Sequence, residues 1–147
     1  MRILLINGPN LNMLGKRQPE IYGSMTLQDI VDRVNKRAGE MGIEIVPFQA
    51  NSEGAIVDFL QANGPAADGV LINAGALTHY GLSLRDAFEA IQKPFVEVHI
   101  SNIHAREEFR HHSVLADIAV AQVAGLGWRG YIAALEALAG ILEERKK

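Results

Sequence analysis

At 147 residues the chain suits one domain, residues 1–147, long enough to bury a substantial core. Its 48% hydrophobic and 21% charged residues fit a soluble globular protein, and a formal net charge of −3 with no long basic run excludes the electrostatic footprint of a nucleic-acid binder. The absence of cysteine rules out disulfides, thiolate metal sites and a cysteine nucleophile.

The run Ile3-Leu4-Leu5-Ile6 ends in Asn7-Gly8-Pro9 and reads as a strand followed by a loop. It is too short for the apolar region of a signal peptide, and no run approaches the ~20 residues that span a bilayer. The expectation is a soluble, cytoplasmic protein with no membrane contact. Residues 8–25 carry Gly8, Pro9, Gly15 and Pro19 and show no helical period. A loop of that length in a compact domain is commonly functional or disordered. Thr26 with Asp29 reads as a capping box, followed by a stripe of Leu27, Ile30, Val31, Val34 and Ala38 that stops at Gly42.

Ile43 to Phe48 reads as the second strand, and residues 53–63 as a helix with Ile56, Val57, Phe59 and Leu60 inward. Val70-Leu71-Ile72 is a third strand ending in Asn73, and Ser83 is the expected cap of a helix running through Ile91. Residues 95–102, FVEVHISN, form the fourth strand, and residues 105–111 have the length of a short helix. Ile118 to Val123 is the fifth strand, and Trp128 to Arg145 the final helix. Strands alternating with helices, apolar on both faces, predict an α/β fold. For this length the expectation is flavodoxin-like: a five-stranded parallel sheet with helices on both faces and ligands at the carboxyl ends of the strands.

Polar residues gather where the strands end. Asn10, Arg17 and Tyr22 follow the first strand; Asn73 and His79 follow the third; His99, Ser101, Arg106 and Arg110 close or follow the fourth. Together these amides, imidazoles, guanidiniums and one phenol suit a small, anionic, hydroxylated ligand. Singly, each has an ordinary reading. The arginines serve as solvated charges, the asparagines as turn formers, and Tyr22 packs its ring with a wet hydroxyl. His111 and His112 are adjacent and read as surface residues.

The fourth strand is harder to treat as ordinary. Alternation puts Val96, Val98 and Ile100 on one face and Phe95, Glu97, His99 and Ser101 on the other. Either this strand lies at a sheet edge with that face in water, or Glu97 is a buried partner that orients His99 and favours its imidazolium. On the second reading His99 offers a proton to the cleft. The base opposite it is then Tyr22, whose phenol is a poor base unless cations such as Arg17 and Arg106 favour the phenolate. That arrangement suggests proton abstraction beside a carbonyl with loss of a hydroxyl group.

Three stretches, LLINGPNLNMLGKRQPEIYG, LINAGALTHYGLSLRDA and PFVEVHISNIHAREEFRHHS, closely resemble the type II 3-dehydroquinate dehydratase family. The likeness covers almost the whole chain. Gln18 stands where many relatives carry glutamate, and Gly81 where serine is common. The resemblance implies dehydration of 3-dehydroquinate to 3-dehydroshikimate, with no metal, imine or organic cofactor. It implies that Tyr22 is the tyrosinate base and that Arg17 lowers its pKa. Asn10 would hold a water near the enolate oxygen, and His99 would be the acid, oriented by Glu97. Asn73 and His79 match contacts to substrate hydroxyls. Ile100 and Ser101 match a carboxylate anchor, Arg110 another binding position, and Arg106 a mobile-loop arginine near Tyr22. Asp86 matches a residue reaching the site of a neighbouring subunit in a dodecamer built as a tetramer of trimers. The segment of about residues 10–25 matches a lid.

Competing readings are a flavin or nucleotide carrier and a non-catalytic binding module on the same fold. The loop after strand one lacks the Gly-x-Gly-x-x-Gly and Walker patterns. The spacings of His99, His104, His111 and His112 match no zinc signature.

Overall fold

The computed structural model describes residues 1–16, 20 and 24–147. Five parallel strands, β1 (Arg2–Asn7), β2 (Glu44–Gln49), β3 (Gly69–Asn73), β4 (Phe95–His99) and β5 (Ala121–Ala124), form one sheet in the order β2-β1-β3-β4-β5. Among the described residues four helices cover it: α1 (Leu27–Glu40), α2 (Glu53–Asn63), α3 (Leu82–Ile91) and α4 (Arg129–Arg145). This is the expected flavodoxin-like order. The chain leaves β1 toward β2 on one side and returns to β3 on the other, so a crevice opens where β1 and β3 end.

Strand alternation divides the core in two. Ile3, Leu5, Leu71, Val96 and Val98 meet α1 and α4 on one face. Leu4, Ile6, Val70, Ile72 and Phe95 meet α2 and α3 on the other, with the Phe88 and Phe95 rings stacked 3.9 Å apart. At about 25 cal/mol per Å² of apolar surface, these layers supply the main driving force for folding. β4 lies between β3 and β5, so the edge-strand reading is excluded and the Glu97 face is interior.

The Thr26 capping box is present: Asp29 N donates to Thr26 Oγ1 at 3.1 Å, and Thr26 N donates to Asp29 Oδ2 at 3.0 Å. Four expectations need correction. β4 ends at His99 rather than Asn102, so Ile100 and Ser101 lie just beyond the strand. Residues 105–111 form no helix; the segment is two 3-10 turns, Ile103–Ala105 and Glu108–Arg110, the first capped by Asn102. β5 begins at Ala121 rather than Ile118, because the Ile118 and Ala119 amides turn back onto the Leu115 carbonyl. Ser83 does not cap α3. The N-cap is Gly81, which has no side chain to cap with, and the Leu84 amide donates instead to Glu53 Oε2 of α2 at 3.0 Å.

A glycine is required where β1 and β3 converge. A Cβ on Gly8 would lie 2.4 Å from the Ala74 carbonyl oxygen, while the Gly8 amide donates to the Asn73 carbonyl at 2.8 Å. That close approach brings the two loops to one crevice.

Glu53 substitutes across helices for a missing capping side chain. Glu53→Ala is therefore expected to lower stability by about 1 kcal/mol, the usual cost of losing a cap, in urea denaturation monitored by circular dichroism. An unchanged midpoint would show that the cap is idle.

Candidate active site

The crevice at the strand ends is a cavity of about 100 Å³, several times the roughly 10–15 Å³ that one ordered water needs. Asn10 enters from the β1 loop. Asn73 and His79 enter from the end of β3 and the 3-10 turn after it, Gly75–His79. His99, Ile100 and Ser101 enter from the end of β4, with Arg106 and Arg110 from the two turns beyond. Eight expected site residues thus line one cavity, and among the described residues no carboxylate lines it. Two guanidiniums and two imidazoles in such a space suit an anionic ligand. Arg17 and Tyr22 lie outside the described residues. Asp86 is exposed on α3, away from the lining.

Glu97 sits directly behind His99. Its side chain is fully buried, and four groups satisfy it. Ser113 Oγ donates to Oε1 at 2.7 Å; Thr78 Oγ1 and Gln122 Nε2 donate to Oε2 at 2.7 and 3.0 Å; His99 Nε2 also bonds Oε2. Burial pushes the Glu97 carboxyl upward. The hydrogen bond and charge of His99, with the two hydroxyls, outweigh that and hold it at about 2. An ionised carboxylate only accepts, so His99 Nε2 is the donor of the pair. Nδ1 has no partner among the described residues, and the ring lines the cavity.

His79 is fixed in the complementary sense. Its Nδ1 lies 2.8 Å from the His112 carbonyl, which can only accept, so Nδ1 carries the proton. Burial lowers the His79 pKa, and nearby His99 and Arg110 lower it further against that carbonyl bond. A neutral His79 presents Nε2 as an acceptor, which suits a ligand hydroxyl.

Asn73 is held from behind. Its Nδ2 donates to the Tyr131 hydroxyl at 2.9 Å, and that hydroxyl donates to Asn7 Oδ1 at 2.7 Å. Asn73 Oδ1 accepts the Gly75 amide at 3.1 Å. The buried Tyr131 phenol is pushed well above its ordinary value by burial, so it stays protonated. Asn10 adopts the left-handed conformation (φ 68°), and its amide donates to Asn51 Oδ1 at 2.9 Å. Arg106 Nη1 reaches Ser101 Oγ at 3.3 Å, and Arg110 Nε pairs with Glu107 at 2.9 Å.

Sequence reading did not find Thr78, Ser113, Gln122, Tyr131 or Asn7. No periodicity marks them. The only available signal was that Thr78 and Ser113 adjoin histidines in the long strand-end stretches.

The Glu97 carboxyl is held below the 4.5 of an unfolded chain. The pair therefore stabilises the fold above pH 4.5, and that contribution is lost as pH falls toward 2. At 1.36 kcal/mol per pH unit it amounts to about 3 kcal/mol. Urea unfolding measured across that range should show the fall in wild type and a much flatter profile in Glu97→Gln. Equal slopes would mean that Glu97 does not carry the dependence.

Comparison with known proteins shows the family. The family model described as "Dehydroquinase class II" matches residues 1–139. A 3-dehydroquinate dehydratase of Roseiflexus castenholzii is 57% identical over 140 residues, covering 95% of this chain and 89% of the relative. One from Halothermothrix orenii is 52% identical, with 97% of each chain covered. The crystal structure of the type II dehydroquinase of Butyrivibrio crossotus superposes with a TM-score of 0.92 at 44% identity, covering 95% of this chain and 97% of that one.

Proposed function

The chain belongs to the class II dehydroquinase family, and we propose that it removes water from 3-dehydroquinate by an enolate route, with Tyr22 as base and His99 as acid. It is a hydro-lyase, a 3-dehydroquinate dehydratase. The observation that carries the acid assignment is the buried, ionised Glu97 against Nε2 of His99, whose ring lines the cavity.

On this reading the Tyr22 phenolate takes the proton from the carbon beside the ketone, and the electron pair moves into an enolate. Arg17 favours the phenolate, and Asn10 holds a water near the enolate oxygen. The enolate then collapses and the carbon–oxygen bond at the neighbouring centre breaks. The leaving hydroxyl takes the His99 proton and departs as water, leaving a conjugated enone. Glu97 stabilises the imidazolium before transfer and fixes its ring orientation. Asn73 and His79 hold substrate hydroxyls, and Ile100 and Ser101 hold the carboxylate. Arg106 and Arg110 add positive charge. The segment of about residues 10–25 closes as a lid. None of these steps needs a metal or organic cofactor.

The proposal extends to assembly. Twelve chains form a tetramer of trimers, and Asp86 reaches the site of a neighbouring subunit. Its exposure on α3, away from its own cavity, suits that role.

Purified protein mixed with 3-dehydroquinate should generate enone absorbance in the ultraviolet, unaffected by borohydride. Tyr22→Phe should lose about 10²–10⁴-fold in turnover while still binding substrate, and near-normal turnover would sink the tyrosinate step. His99→Ala should block water loss yet retain exchange of the substrate α-proton with solvent. Sedimentation should give a species of twelve chains, and Asp86→Ala should raise KM without dissociating it. A monomer of full activity would remove both the assembly and the Asp86 role.

A further inference from the structure

Two hydroxyls outside the cavity tie the acid to the part of the site that receives the ligand. Thr78 is fully buried on the turn that ends at His79. Ser113 follows His112, whose carbonyl holds His79. The two segments are joined by the Val114 amide on the Thr78 carbonyl at 2.7 Å. Both hydroxyls then converge on Glu97, one on each carboxylate oxygen.

The proton directions are determined. Ser113 Oγ accepts the Leu115 and Ala116 amides at 3.1 and 3.0 Å, so its own proton is left for Glu97. Thr78 Oγ1 lies 3.1 Å from Ser113 Oγ, whose proton and acceptor sites are already committed, so Thr78 also gives its proton to Glu97. Beyond Ser113, Arg85 anchors the segment through the Val114 carbonyl at 2.8 Å and a two-pronged contact with Asp117.

We propose that Thr78 and Ser113 are positioning residues for the dehydration: their hydroxyls hold Glu97 in the orientation that keeps a proton on Nε2 of His99 and aims Nδ1 into the cavity. The proposal rests on the reading of His99 as the acid. One network thereby sets the acid and the placement of His79 together. Without either hydroxyl, a buried carboxylate oxygen loses a donor, and the Glu97–His99 pair can rotate or exchange its proton.

The test compares Thr78→Val, Thr78→Ser and Ser113→Ala with wild type. Valine keeps the shape of threonine and removes only the hydroxyl; serine restores the hydroxyl without the methyl. In steady-state kinetics on 3-dehydroquinate, kcat should fall about tenfold in Thr78→Val and Ser113→Ala, with KM changed less than about twofold, and should recover in Thr78→Ser. In proton–nitrogen NMR, wild type should show a slowly exchanging, strongly downfield Nε2–H resonance for His99. It should be lost or exchange faster in Thr78→Val and return in Thr78→Ser. The resonance needs no turnover, so an inactive wild type would defeat the functional reading while the NMR still judges the positioning. A wild type without that resonance would overturn the proposal. So would folded valine and alanine variants with unchanged resonance and kcat, or a valine defect that serine does not repair.

Discussion

A carboxylate with no access to water organises the functional end of this molecule. An ionised group cannot be buried alone, and Glu97 is tolerated because four donors from four segments meet it: Thr78, His99, Ser113 and Gln122. Those segments are the turn after β3, the end of β4, the loop beyond it and the edge strand β5. Their mutual placement is set by the need to satisfy one side chain. The same donors keep that side chain charged, which makes it useful to the neighbouring imidazole.

Around this centre the parallel sheet acts as a rigid frame. Asn7 and Asn73 end paired strands and share the Tyr131 hydroxyl of α4, so a helix packed on one face of the sheet determines how an amide at the crevice is turned. Gly8 lets the first and third strand ends approach closely, and two-residue steps along β4 set His99 at a fixed distance from Glu97. Site geometry and core packing are thus consequences of the same strand register.

Much of this was legible in the sequence because it follows from period. Alternation along β4 put Glu97 and His99 on one face, and the Thr26–Asp29 spacing marked the start of α1. The strand-end clustering followed from the parallel order, which places all carboxyl ends on one side. What escaped lies in contacts between residues far apart in the chain. Ser113 and Thr78 are 35 positions apart, and Tyr131 is 124 from Asn7; nothing local distinguishes a hydroxyl that will meet a buried carboxylate from one that will meet water. Gly81 shows the same limit. Local rules pointed to Ser83 as the cap, whereas the capping oxygen arrives from Glu53 on another helix. The segment after β4 misled because its spacing allows a helix, while Asn102 and the carbonyl partners of His79 and His111 favour tight turns.

The proton on Nδ1 of His79, fixed by the His112 carbonyl, bears on ligand chemistry. The nitrogen left facing the cavity accepts and cannot donate while the ring is neutral, so a group meeting it must bring a hydrogen. Replacing a ligand hydroxyl at that point by a ketone or ether would set two lone pairs against each other, whereas an amine or amide N–H would keep the contact. A single backbone oxygen, that of His112, thereby acts as a filter between otherwise similar inhibitors: donors at this corner are retained, and acceptors of the same size are turned away.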